Sequence, residues 1–309
     1  MNDINSFLEI VKKAAITTAG QLIWLLGLVF VFGLVLYLLA RMTRTTYVKS
    51  AGSKLDIIVT GWIGTPVHEL GHAAFCLLFG HRITAIKLYD PDPSDGTLGY
   101  VCHSYSDTPY QKIGNFFIGI GPILFGSVVL YALLYYLIPN NTAVFSSVNV
   151  QGRALAAGGI HGDIAGTMNA LWLTAQHTLS LLFRSDNLSG WKFWVFLYLS
   201  MCVASHMELS PPDIKGAWSG LVALVVFLLG LNIALIVLTA NGWSHYFGSY
   251  WQYLRPENYS AVINKWEGTF GALFVYATII SALNFTVTYL LLSIYNLRKG
   301  RGAINPIMN

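Results

Sequence analysis

Charge is scarce in this sequence. Asp, Glu, Lys and Arg make up 10% of its 309 residues, against about 25% in a soluble domain. That scarcity excludes an ordinary water-exposed globule. The basic residues exceed the acidic ones by only four and form no long run, so no nucleic-acid partner is expected. Cysteine is scarce too. Cys76, Cys102 and Cys202 are odd in number and far apart, which excludes a disulfide framework and a cysteine-based zinc site. Cys76 follows His72 by four residues but reads as a small buried hydrophobe. There is no internal repeat and no low-complexity stretch. A cleavable leader is also not expected, because the uncharged stretch Gly20 to Ala40 is too long for a signal-peptide core and lacks an A-x-A site.

What fills the chain is apolar. Hydrophobic residues make up 55% and the mean hydropathy is +0.56. Spans need about 20 mostly apolar residues, and the length accommodates about six. The expected fold is therefore an all-α polytopic membrane protein, a single transmembrane domain over residues 1–309, with the lipid bilayer as its surroundings. The spans are read as Gly20 to Ala40, Ile57 to Gly80, Lys112 to Ile138, Trp191 to Leu209, Ala217 to Ala240, and a last one ending near Asn296. Arg41 to Lys54 reads as a basic connector. Gly119-Ile-Gly-Pro122 is expected to interrupt the third span and to leave a carbonyl for a neighbouring helix or cavity to satisfy. Pro139 to Gly190 reads as loop-like apart from an amphipathic helix, Met168 to Phe183, lying along the membrane surface. His161 and Asp163 just before it read as part of a solvated glycine-rich loop. Asn241 to Glu267 is crowded with Trp and Tyr, an interfacial belt.

One segment breaks the pattern. Residues 83–104 carry two stretches of strand formers around Asp90-Pro-Asp-Pro-Ser-Asp-Gly96, a turn-rich centre, and read as a β-hairpin. His81 and His103 flank it as polar interface residues. An open hairpin edge could pair with an extended substrate segment, so Ile83 to Ser104 is the expected substrate-binding element.

The chemistry concentrates just before the hairpin, in His68-Glu69-Leu70-Gly71-His72. Residues four apart share a helix face, so His68 and His72 can offer two imidazole nitrogens to one metal ion. Glu69 lies about 100° further round, within reach of a water at that metal. Zinc suits such a set. Two His and one Glu inside an otherwise apolar helix are costly in a membrane and mark a working site.

A membrane-embedded His-Glu-x-x-His, then a hairpin, a Gly-Pro span, and a late Pro-rich stretch with an Asp resembles the site-2 protease family of intramembrane zinc metalloproteases. The resemblance covers roughly Ile57 to Leu221, the metalloprotease core on this view. It implies Zn2+ held by His68, His72 and Asp213, with Glu69 as general base in a zinc metalloendopeptidase. The implied partner is a membrane-protein substrate, cut in or near a transmembrane segment. The family's Leu-Asp-Gly is replaced here by Asp213-Ile-Lys-Gly216. His206 and Glu208 stay open as alternative third ligands. Asp213 is favoured because the prolines before it free the backbone to aim one carboxylate inward. Two other functions are open: a catalytically dead binding protein of the same fold, and a metal-ion transporter. Six spans put both termini on one side, and the resemblance places the zinc end toward the cytoplasm. The sequence does not reveal the oligomeric state.

Overall fold

The computed structural model describes residues 2–90, 98–158, 164–302 and 304–307. The uncharged run that begins at Gly20 does not stop at Arg41. Helix α1 spans Asn2–Ser50 without a break, since Arg41, Arg44 and Lys49 are good helix formers and no Pro or Gly intervenes after Gly33. Thr43 and Thr46 bond back to the carbonyls of Leu39 and Met42 at 2.9 and 2.8 Å. The expected basic connector is thus the last turns of α1. A short helix α2 (Ser53–Asp56) and a π-helical turn (Ile57–Gly61) lead into α3 (Trp62–Leu78).

The hairpin is present: β1 (Arg82–Lys87) pairs antiparallel with β2 (Tyr100–Ser104), Arg82 opposite Ser104 and Lys87 opposite Tyr100. Its expected turn residues 91–96 lie outside the described residues. Helix α4 (Pro109–Leu137) then continues without a break through Pro122, so the expected interruption does not occur. Gly119 and Gly121 act there as contact points. A Cβ on Gly119 would lie 2.7 Å from the Asp213 carbonyl oxygen, and one on Gly121 would lie 2.7 Å from that of Gly71.

The stretch expected as loop is mostly helix. α5 (Asn141–Gly158) and α6 (Ile164–Leu182) form an antiparallel pair, tied by Ser147 to Thr178 at 2.8 Å and by Asn140 to the Leu181 carbonyl at 3.0 Å. Gly152 brings α5 against α11, where a Cβ on Gly271 would lie 2.9 Å from the Gly152 oxygen. His161 and Asp163 lie outside the described residues. A short α7 (Ser185–Leu188) precedes α8 (Trp191–Ser205) and α9 (Pro211–Ala240). The aromatic belt folds as two 3-10 stretches around α10 (Trp251–Leu254), and α11 (Ser260–Arg298) closes the chain.

Among the described residues four helices, α1, α4, α9 and α11, are long and apolar enough to cross a membrane. Two of the six expected spans, α3 and α8, have 17 and 15 residues. The largest buried side chains, among them Phe116, Leu130, Phe193, Phe274 and Tyr276, fill the space between α1, α4, α8 and α11. Direction follows from polar and aromatic contacts. Trp24 bonds Asn264, Phe32 stacks on Phe274, and Ser50 bonds Asn296, so α1 and α11 run parallel. Asn232 bonds Thr18 and Gln21, while Glu208, just ahead of α9, pairs with Arg44. That makes α9 antiparallel to α1. Two parallel helices that each cross once put the termini on opposite sides, so the expected same-side termini do not fit this packing.

Candidate metal centre

The His-Glu-x-x-His motif lies on α3, as its spacing requires, with His68 and His72 one turn apart. Their Nε2 atoms are 3.2 Å apart. Asp213 reaches the same point from α9, its Oδ1 3.1 Å from His72 Nε2 and its Oδ2 3.4 Å from His68 Nε2. These three are the group of described residues that could hold a metal ion. A tetrahedron with bonds of about 2.05 Å has edges of about 3.3 Å, close to the 3.2 Å between the two imidazole nitrogens, and the carboxylate meets each nitrogen through a different oxygen.

Asp213 is not on irregular backbone, as the sequence had implied. It is the third residue of α9, and Ser210 caps that helix: the Ser210 hydroxyl accepts from the Asp213 N–H, and the Asp213 carboxylate accepts from the Ser210 N–H at 2.7 Å. Pro211 and Pro212 begin the helix, where a missing N–H costs nothing. The carboxylate that points at the imidazoles is thereby fixed by a capping box.

Each imidazole is oriented by a carbonyl that its own helix leaves unpaired. His72 Nδ1 donates to the Ile118 oxygen at 2.7 Å. Ile118 lies four residues before Pro122, whose ring nitrogen has no hydrogen to give it. His68 Nδ1 donates to the His206 oxygen at 2.8 Å, just past the end of α8, where terminal carbonyls lack intrahelical partners. A carbonyl only accepts, so both Nδ1 atoms carry a proton, and in the neutral rings both Nε2 atoms are bare. In that state two bare nitrogens and a carboxylate converging this closely repel unless a metal ion or a shared proton lies among them. The donor set fits a divalent metal with nitrogen and oxygen preference.

Glu69 is buried on the wall of the same cavity, which has a volume of about 730 Å³ and is also lined by Thr65, Asn115 and His103. The Thr65 hydroxyl, one turn before Glu69, is buried and has no hydrogen-bond partner among the described residues. A Cβ on Gly99 would lie 2.9 Å from Glu69 Cγ, which is why glycine stands where the chain enters β2. Asn115, Thr65 and Gly99 were not singled out from the sequence. Only their assembly from three elements around one cavity reveals them.

The alternatives to Asp213 have other partners. Glu208 forms an ion pair with Arg44, which also approaches Asp56 at 3.8 Å. The His206 ring packs on α3 at Gly64 and lies 3.2 Å from the Cys202 carbonyl through Nδ1. His81 and His103 do tie the hairpin down: His81 Nε2 bonds the Gln111 oxygen at 2.8 Å, and the two Nδ1 atoms are 2.9 Å apart. Burial, reinforced by His81 and His72, holds the His103 imidazole below its usual range. No family model matches the chain, and neither a curated protein nor a solved structure matches it.

Proposed function

We propose that the chain is a multi-pass membrane protein and an intramembrane zinc metalloprotease, acting on a substrate transmembrane segment. The observation that carries this is the convergence of two imidazole Nε2 atoms, 3.2 Å apart, and the Asp213 carboxylate, beside Glu69 on the wall of one cavity. Closed structural zinc sites use four protein ligands, whereas catalytic ones use three.

His68, His72 and Asp213 would hold the ion, with Ile118 and His206 carbonyls fixing the rings. A bound zinc supplies Lewis-acid polarisation of a carbonyl and acidifies a water beside it. Glu69 takes one proton from the water that attacks the scissile carbonyl and returns it to the leaving amine nitrogen. A substrate helix hides its carbonyls, so it must be unwound. Strand β2, whose Tyr100, Val101 and His103 line the cavity, offers main-chain groups to hold an extended stretch. Arg41, Arg44 and Lys49 on α1, with Arg298, Lys299 and Arg301 at the end of α11, crowd one end of the parallel pair. By the positive-inside rule that end faces the cytoplasm.

The test pairs a metal count on purified protein with cleavage of single-span test substrates. Wild type should carry about one zinc and cut. Glu69→Gln should keep the zinc and lose cleavage, while His68→Ala should lose both. Cleavage retained by Glu69→Gln would falsify the mechanism.

A further inference from the structure

A second cavity, of about 570 Å³, lies between the last turns of α1 and the segment joining α8 to α9. Its α1 wall is a single stripe: Tyr37, Arg41, Thr45 and Lys49, four residues apart, with Arg44 beside them. Across from them stand Glu208 and Leu209. The one acid, Glu208, is already paired with Arg44. Arg41 has no ion pair or hydrogen bond to any described residue, and Lys49 has only the Asn305 carbonyl, at 3.1 Å. These cations are exposed to solvent, and together they wall an open cavity large enough for a small molecule.

We propose that this cavity binds a phosphate group, and that its occupant is the headgroup of an anionic phospholipid. Arginine offers a planar fork that matches phosphate oxygens, and lysine adds a point charge. The stripe starts where the uncharged stretch Gly20 to Ala40 ends, which is where a span meets the headgroup layer. Tyr37 and Leu209 give the cavity an apolar side for the start of an acyl chain. Arg301 donates to the Ser50 carbonyl at 3.1 Å and brings the basic end of α11 alongside, so the surrounding field is positive. Juxtamembrane clusters of this kind attract anionic lipid. The site stands apart from the metal and does not rest on the protease reading. It does share Arg44, Glu208 and Ser210 with the metal cavity, so its occupant would sit behind the segment that presents Asp213.

Native mass spectrometry of the full chain in nonionic detergent tests this with three additions: dioleoylphosphatidylglycerol, dioleoylphosphatidylcholine and inorganic phosphate. Wild type should retain phosphatidylglycerol over phosphatidylcholine. Arg41→Gln should weaken that retention about fivefold, and Arg41→Gln with Lys49→Gln roughly 25-fold, at about one surface cation's worth each. Arg41→Lys keeps the charge but loses the fork and should bind between wild type and Arg41→Gln, and an unchanged unfolding temperature in each variant separates lost binding from lost folding. Inorganic phosphate that displaces the lipid supports the phosphate site. If it binds as tightly as the lipid, it supports a soluble phosphate as the source. Unchanged phosphatidylglycerol retention in the double variant, or no preference over phosphatidylcholine, overturns the proposal.

Discussion

Gly71→Ala adds one methyl group where α3 crosses α4, and its effect can be worked from the geometry. The new Cβ would lie 2.8 Å from Pro122 Cα, 2.9 Å from its nitrogen and 3.0 Å from the Gly121 carbonyl carbon. Non-bonded carbons rest at about 3.5–4.0 Å, so the helices must part by roughly 0.7–1 Å. All three neighbours are backbone, and none can rotate away. His72 is the next residue, and its 2.7 Å bond to Ile118 spans this same crossing. Opening it by that amount leaves roughly 3.5 Å, no longer a sound hydrogen bond. Overpacking of this kind costs about 1–3 kcal/mol, and loss of a ligand's outer partner lowers metal affinity about 10–100-fold. Competition with a fluorescent zinc chelator should show that fall, together with a lower unfolding temperature. Gly121→Ala should behave alike, since its Cβ meets the Gly71 oxygen at 2.7 Å. Gly230→Ala on α9 is the control: nothing lies within 4 Å of its Cβ, and alanine favours helix by about 1 kcal/mol over glycine. It should keep metal affinity and hold or raise stability. Wild-type zinc affinity in Gly71→Ala would show that the α3–α4 crossing does not fix His72.

Asp213→Ala should lose most bound zinc and also the reciprocal half of the capping box at α9, its bond from the Ser210 N–H, whereas Glu208→Gln should retain zinc at wild-type level. Metal analysis separates them, and zinc retained in Asp213→Ala would remove it from the ligand set. Reporter tags placed before Asn2 and after Asn309 should lie on opposite sides of the membrane, because α1 and α11 run parallel. Tags on the same side would mean that one of the two helices does not cross.

The sequence by itself determined the motif helix, the hairpin and the apolar character, because each is written in local periodicity. Two histidines four apart share a face on any helix, and strand formers around a stretch rich in Pro, Asp and Gly read as a hairpin without tertiary help. It also contained a signal that went unread. Ser210-Pro-Pro-Asp213 is a helix-start pattern, a capping residue with an acid three later and proline just inside. The prolines were instead taken as a break that leaves Asp213 on irregular backbone. The basic turns Arg41 to Ser50 were misread because charge was equated with leaving the helix, although arginine and lysine continue one readily. Tertiary structure alone decided the rest. That Pro122 frees a carbonyl follows from its ring. That His72 collects this carbonyl depends on α3 lying against α4 at Gly71, a contact between residues about 50 positions apart in the sequence. Likewise, Asp213 meets both imidazoles, and α1 runs parallel to α11, only through packing across long stretches of chain. Local pattern carries no distance information between such segments, so Asp213 was joined to His68 and His72 by resemblance alone, and the parallel course of α1 and α11 could not be read before the helices were placed.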